Sequence, residues 1–153
     1  MTISALQAAK FLSNLSRWKY THLELQKLIY LSHMLHLGQY RHPLVAGRFE
    51  AWDYGPVHPE LYQILKEWGN RPIPASAKVY QNVDIAVFKT TATNEAQSLK
   101  QWAKALPAGN GPKLIAITHA QDCAWTKAYD KVVKSRVISD DAMLDEYQSR
   151  LNA

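Results

Sequence analysis

Apolar residues recur at helical spacing through the N-terminal part of the chain and predict two helices. Ser4 and Gln7 have the three-residue spacing of a capping box, in which two polar side chains satisfy free N–H groups at a helix start. Thr21 and Glu24 repeat that spacing before a second helix, from about Leu23 to Tyr40. Its apolar residues cover most of the circumference: Leu25, Leu28, Ile29, Leu31, Met34, Leu35 and Leu37. A helix that is apolar on all sides is buried, so we expect this one at the centre.

The rest of the chain predicts further helices and a small β element. Alternation within Arg48–Trp52 predicts a short strand, and Val83, Ile85 and Val87 favour another. Gly38 predicts that the second helix ends there or soon after. Later helices are expected after Pro59, from Thr93 to Pro107, from Pro112, from Trp125 to Val133, and after Ser139. The expected fold is mainly α with a small β element. A single domain over residues 1–153 is expected to form a helical bundle around the central helix.

Composition indicates a globular protein in a reducing compartment. Apolar residues make up 47% of the chain and charged residues 20%, and no apolar run is long enough to span a membrane. The N-terminal residues lack the pattern of a signal peptide. Cys123 is the single cysteine, which excludes an internal disulfide. Cytoplasm is therefore the expected location.

The basic charge balance leaves a nucleic-acid reading open. The formal net charge is +5 and the pI about 9.3, but Lys and Arg are scattered along the chain. The densest group is Lys127, Lys131, Lys134 and Arg136. A solvated helix face is the favoured interpretation of this group. A basic nucleic-acid-binding regulator of a mobile element stays as the alternative function.

Two segments carry a resemblance to a known family. They are Leu25-Gln26-Lys27-Leu28-Ile29-Tyr30 and Glu50-Ala51-Trp52-Asp53-Tyr54-Gly55-Pro56-Val57, followed later by Thr118-His119 and Trp125. With Ile138 and Tyr147 in a closing helix, the chain resembles the Panacea domain family over nearly its entire length. That family includes SocA-type proteolytic adaptors and phage-associated GepA proteins. Ala124 departs from the proline often found before the tryptophan, so the direction of that helix is less fixed.

The resemblance implies an antitoxin-like protein without catalytic activity or cofactor. Such a protein binds and neutralises a cognate toxin encoded beside it, and some relatives deliver the toxin to a bacterial protease. The family is associated with mobile elements and prophages, and no membrane association is expected. On these grounds the motif residues are expected to shape the domain rather than to touch the toxin: Gln26, Lys27, Trp52, Tyr54, Gly55, Pro56, His119 and Trp125.

The residues themselves support a structural turn at Trp52–Val57. Trp52 and Tyr54 can bury large apolar area, Gly55 permits backbone angles closed to other residues, and Pro56 fixes the next one. Gln26 and Lys27 are placed to satisfy carbonyls of this turn, and His119 is expected to anchor its own helix against it. We expect the partner surface to lie elsewhere, among aromatic and arginine residues near predicted helix ends: Trp18, Tyr20, Tyr40, Arg41 and Arg48.

Two sets of reactive side chains have to be weighed against ordinary packing. His33 and His36 are close enough in sequence to share a helix face, but a zinc site needs three or four ligands and no neighbour in sequence supplies them. His119 and Cys123 have the spacing of a nucleophile–base pair, but a third, orienting group is lacking. We therefore expect neither a metal site nor a catalytic site.

Overall fold

The computed structural model describes residues 1–152, and about 56% of the chain is helical. The described residues form seven α-helices and three short strands. The helices are α1 (Ala5–Leu15), α2 (His22–Tyr40), α3 (Pro59–Leu65), α4 (Thr93–Ala105), α5 (Gly111–Thr118), α6 (Ala124–Ala128) and α7 (Asp140–Leu151). The strands are β1 (Phe49–Trp52), β2 (Gly55–Val57) and β3 (Arg136–Ile138). The predicted mainly α fold with a small β element is confirmed.

Helix α2 lies at the centre, and both predicted capping boxes are formed. At each box the hydroxyl of Ser4 or Thr21 accepts from the third helical N–H. Nearly all side chains of α2 are buried, and the helix contacts α1, α3, α4, α5, α7 and β2. None of the helices in residues 1–152 is both long and apolar enough to cross a membrane.

Gly38 does not end α2, which continues to Tyr40 and stops at Arg41 in the left-handed conformation. The glycine is there because α7 packs against it closely. A Cβ atom at residue 38 would lie 2.4 Å from the ring of Tyr147. The helix therefore ends two residues after Gly38, as predicted, and the glycine also serves the contact between the two helices.

The three strands form one antiparallel sheet in the order β2-β1-β3. Trp52 pairs with Gly55 across a tight turn, and Phe49 pairs with Ile138 on the other side of β1. Ile138 therefore belongs to a strand, which corrects its expected place in the closing helix. The strand expected at residues 83–87 is also wrong, because Ala86–Lys89 form a 3₁₀ turn.

The helix expected from Trp125 to Val133 is shorter and ends at Ala128. Asp130 explains the early end, because its carboxylate accepts hydrogen bonds from the N–H groups of Val132 (2.8 Å) and Val133 (3.0 Å). This local turn competes with helical hydrogen bonding. It directs the chain into β3 and toward the turn between β1 and β2.

A buried carboxylate fastens α7 to the rest of the bundle. Glu146 accepts hydrogen bonds from the hydroxyl of Tyr30 (2.8 Å) and from the N–H of Ala124 (3.0 Å). Its second oxygen pairs with Arg150 at 2.7 Å, and Arg150 also donates to the carbonyl of Ile117. One charged group thus links α2, α6 and α7, while a paired cation and several donors compensate its burial.

Candidate partner-binding groove

A groove of about 500 Å³ lies between the start of α2 and the turn that joins β1 to β2. Its wall includes both segments of the motif described above. The lining residues are His22, Leu23, Gln26, Lys27, Trp52, Asp53, Tyr54, Val57, Tyr62, Lys66, Gly69 and Lys134. The groove is therefore built by residues that are distant in sequence and come together at the N-terminal end of α2.

Lys27 is the least expected residue of this wall, because only 2% of its surface is exposed. Its ammonium donates a hydrogen bond to the carbonyl of Pro56 at 3.0 Å, which is the expected contact with the turn. Burial disfavours the charged form and lowers the pKa of Lys27 to about 7. A positive charge at this position is therefore costly, and the fold keeps the amine there nevertheless.

Gln26 fixes the backbone after the turn through both ends of its amide. Its oxygen accepts from the N–H of His58 at 2.8 Å, and its nitrogen donates to the carbonyl of His58 at 3.2 Å. The same nitrogen lies 3.0 Å from Nε2 of His22. Because an amide N–H₂ only donates, this Nε2 accepts, which requires a neutral imidazole. Burial lowers the pKa of His22 to about 4 and keeps the ring neutral.

Gly55 is required by the close approach of the turn to α2. Its φ of +114° lies in a region that other residues rarely adopt, and a Cβ there would lie 2.9 Å from Cε of Lys27. Pro56 follows in the edge strand β2, where its missing N–H costs nothing and its carbonyl receives Lys27. The turn and the lysine thus determine each other's position.

Trp125 and Tyr129 support the turn from the side of α6. The indole N–H of Trp125 donates to the carbonyl of Trp52 at 2.6 Å, and the hydroxyl of Tyr129 donates to Asp53 at 2.6 Å. The two rings are stacked with centroids 4.7 Å apart. His119 packs against Trp125 with centroids 3.9 Å apart, so it reaches the turn through the tryptophan rather than directly.

These motif residues agree with a comparison against protein families. The profile described as "Antitoxin SocA-like, Panacea domain" matches residues 25–126, which is more than half of the chain. The chain belongs to this family. It is 28% identical over 133 residues to the antitoxin SocA of Caulobacter vibrioides (strain NA1000 / CB15N), with 76% of this chain and 71% of that protein covered. No solved structure matches the chain.

Within this Panacea domain, Tyr54 does not have the packing role expected for it. It occupies the tip of the turn, and 73% of its surface is exposed. Trp52 is half-buried, donates to Glu50 at 2.9 Å and meets the ring of Tyr62 with centroids 4.9 Å apart. The two aromatics therefore differ in role, since Trp52 stabilises the turn while Tyr54 projects from it.

More exposed apolar surface lies beside the groove. The segment after α6 reaches the turn through Lys134, whose ammonium is 3.4 Å from Asp53. Next to that lysine, Val132 and Val133 are 90% and 51% exposed. These valines and Tyr54 are thus exposed apolar side chains on the two segments that the Lys134–Asp53 pair joins.

The five residues predicted from helix ends do not form one surface. Trp18 and Tyr20 precede α2, whereas Tyr40 is its last residue and Arg41 follows, and its 19 residues correspond to about 28 Å. Tyr20 is a correction: it is 2% exposed, and its hydroxyl donates to the carbonyl of Leu106 at 2.8 Å. Trp18 is partly buried beside Tyr80, while Tyr40, Arg41 and Arg48 are exposed.

The basic group near the C-terminus is partly neutralised. Lys134 pairs with Asp53, and Arg136 pairs with Asp130 at 3.1 Å. Lys127 and Lys131 are exposed. Two of the four cations thus face carboxylates, which weakens the attraction that this group exerts on a phosphate backbone.

His119 and Cys123 do not form a nucleophile–base pair. The thiol donates to the carbonyl of Ile117 at 3.3 Å, and the ring of His119 lies against Trp125. Burial and the nearby Glu146 raise the pKa of Cys123 to about 11, opposite to the direction that a reactive thiolate needs. In the described residues no hydrogen bond joins the two side chains.

The histidine pair His33 and His36 is also divided by the fold. Nδ1 of His33 accepts from the N–H of Val45, and its Nε2 lies 3.7 Å from Asp140. His36 instead faces His42 and Glu95. The sequence argument that found no third ligand near His36 was wrong, because Glu95 comes from α4 and reaches His36 only in the folded chain.

Proposed function

We propose that this protein is an antitoxin that binds and neutralises a cognate toxin encoded by an adjacent gene. The whole chain acts as one Panacea-like domain and performs no catalysis of its own. The observation that carries the proposal is the place of the family motif: both segments, residues 25–30 and 50–57, contribute side chains to the groove, and the second forms the exposed turn beside it.

The groove and its rim have the chemistry of a protein-binding surface. Interface centres are enriched in aromatic residues that sit on well-packed supports. Tyr54 is such an aromatic, and hydrogen bonds from Lys27, Trp125 and Tyr129 hold the turn that carries it. Because the turn is fixed before binding, little conformational entropy is lost when a partner covers it.

The antitoxin proposal is favoured over nucleic-acid binding and over catalysis. A nucleic-acid surface needs unpaired cations, whereas Lys134 and Arg136 face carboxylates. A thiol-based reaction needs an acidic cysteine, whereas the pKa of Cys123 is raised to about 11. A protein toxin requires only shape and apolar contact, both of which the groove provides.

Delivery of the toxin to a bacterial protease, and an association with a prophage, are finer parts of this proposal. Their only ground is the resemblance of the sequence to the Panacea domain family. Toxin half-life in cells separates the two modes of neutralisation: an adaptor shortens it in a protease-dependent manner, whereas simple blocking leaves it unchanged or lengthens it.

The test is co-expression with the product of the adjacent gene, followed by growth measurement and co-purification. We expect wild-type protein to restore growth and to co-purify with the toxin. Tyr54→Ala should lose most of this activity without a change in Tm, since its side chain is largely exposed. Tyr40→Ala is the matched control, because this exposed tyrosine lies at the opposite end of α2.

The two variants also distinguish between surfaces. Loss of neutralisation in Tyr40→Ala but not in Tyr54→Ala would move the interface to the other end of α2, where aromatic and arginine residues were predicted from the sequence. No rescue by the wild-type protein, together with no co-purification, would overturn the antitoxin proposal itself.

A further inference from the structure

A second cluster of functional side chains lies away from the groove, near the C-terminal end of α2. His36, His42 and Glu95 each place one nitrogen or oxygen atom within 4.8 Å of the others. They come from α2, from the loop that follows it, and from α4. Lys27 and His36 are nine residues apart on α2, or about 14 Å, so the cluster is separate from the groove.

His36 has one ring nitrogen beside the hydroxyl of Ser98 and the other beside the carboxylate of Glu95. Ser98 donates its hydroxyl proton to the carbonyl of Asn94 at 3.3 Å. With that proton engaged, Ser98 accepts from Nδ1–H of His36, 2.8 Å away, and this is the tautomer that a metal ion on Nε2 selects. The neutral ring then presents the lone pair of Nε2, and this nitrogen lies 3.4 Å from Oε2 of Glu95. Two electron-rich atoms at this distance repel each other unless a cation lies between them.

The other two groups are also left without good partners. The Glu95 side chain is 6% exposed, and within residues 1–152 no hydrogen bond ends on its carboxylate. The amino group of Met1, 3.6 Å away, is a further cationic neighbour. Nδ1 of His42 is buried and has no hydrogen-bond partner in the part of the chain that the structure describes. Unpaired polar atoms at such depth are costly.

We propose that His36, His42 and Glu95 bind a divalent transition-metal ion, with Zn²⁺ as the best match. Two imidazoles and one carboxylate are a ligand set that zinc accepts, with a water molecule in the fourth position. Ser98 is the outer partner that orients His36, as metal-bound histidines commonly have. The ion would tie the loop after α2 to α4.

Little movement is needed to form the site. Zinc–ligand bonds of 2.0–2.1 Å place tetrahedral donor atoms about 3.4 Å apart, so the widest gap must close by about 1.4 Å. His42 lies in a loop that begins where α2 ends at Arg41. Its side chain can therefore move while His36 and Glu95, which are on helices, stay in place.

The test measures binding of ZnCl₂ to protein that has been stripped with a chelator, by titration calorimetry. We expect one Zn²⁺ per chain and a rise in Tm that the chelator reverses. His42→Ala should weaken binding at least 100-fold and abolish the rise in Tm. His119→Ala is the control, because it removes an imidazole at another place and should keep the full stoichiometry.

Co²⁺ gives an independent readout, since a tetrahedral nitrogen and oxygen site produces visible absorption that His42→Ala should remove. Glu95→Gln should weaken Zn²⁺ binding similarly, and His42→Ala decides the matter if this buried substitution impairs folding. Absence of Zn²⁺ binding by the wild-type protein would show that the amino group of Met1 and a proton on His36 compensate Glu95. Equal binding by wild type and His42→Ala would place the ion elsewhere. Either result overturns the proposal.

Discussion

Replacing Lys27 by methionine should stabilise the protein at neutral pH, although the substitution removes a hydrogen bond. Methionine keeps the length and flexibility of the side chain but has no charge to desolvate. The lysine amine is buried, and no carboxylate lies among the causes of its lowered pKa. The substitution therefore removes a cost that the wild-type fold carries.

The magnitude follows from the pKa of Lys27, which falls from 10.5 to about 7 on folding. Below pH 7 the unfolded chain holds a proton that the folded chain binds poorly, so the full cost of about 4–5 kcal/mol applies. The cost decreases as the pH rises from 7 toward 10.5, because the unfolded lysine then also loses its proton. At pH 9 about 2 kcal/mol remains.

The lost hydrogen bond to Pro56 offsets part of this gain. Leaving the carbonyl of Pro56 without a donor costs about 1–3 kcal/mol. The net expectation for Lys27→Met at pH 7 is a stabilisation of about 2 kcal/mol, which corresponds to a rise in Tm of about 4–8 °C. At pH 9 the two proteins should be nearly equal in stability.

The assay is urea unfolding of wild type and Lys27→Met at pH 7, 8 and 9. Groups with shifted pKa values in both proteins, such as His22, Cys123, Tyr20 and Tyr80, contribute equally to each and cancel in the stability difference. Lys134→Met is the control, because this groove lysine is 58% exposed at its side chain and should leave the free energy of unfolding almost unchanged.

The stability difference between wild type and Lys27→Met must shrink by about 2 kcal/mol from pH 7 to pH 9 if burial sets the pKa of this lysine. A difference that does not depend on pH would refute the reasoning. So would a variant that is less stable than wild type at pH 7 by more than about 1 kcal/mol, since the hydrogen bond would then outweigh desolvation.

Two further substitutions test the turn and the attachment of α7. Gly55→Ala should destabilise the protein by about 2–4 kcal/mol in urea unfolding, through a positive φ and a clash at 2.9 Å. Gly109→Ala separates these causes, since it shares the positive φ but has no atom within 4 Å, and equal losses would contradict the clash. Glu146→Ala should cost about 3–5 kcal/mol by leaving the hydroxyl of Tyr30 and the N–H of Ala124 without an acceptor and Arg150 without its carboxylate. A fall in Tm of less than about 4 °C would show that water replaces the carboxylate.

The local part of the fold could be predicted from the sequence because its signals lie within one or two helical turns. Each capping box spans four residues, and the apolar circumference of α2 is visible in 19 residues. The expected contact of Lys27 with a carbonyl of the turn is made as well. This contact could be anticipated because the family resemblance links the two segments. The spacing of residues alone gives no such link.

What the sequence did not disclose depends on contacts between distant residues. The strand β3 has three residues, too few for a periodic pattern, and it forms because Phe49 and Ala51 offer it a partner. Glu95 lies 59 positions after His36, so no ligand spacing could connect them. Tyr54 was assigned to packing because aromatic residues are usually buried, and only the direction of the turn shows that it projects outward.

The buried amine of Lys27 also raises the question of catalysis, because lysines with a pKa near 7 serve as nucleophiles in some enzymes. Such a reaction needs a neighbouring group that can transfer protons. His22 is a poor candidate, since its pKa is about 4 and Gln26 occupies its Nε2. The carboxylate of Asp53 is held by a tyrosine hydroxyl and an ammonium group. Lys27, His22 and Asp53 are thus engaged in hydrogen bonds or an ion pair, and Tyr54 is left for a partner to contact. This division of roles supports binding over catalysis as the use of the groove.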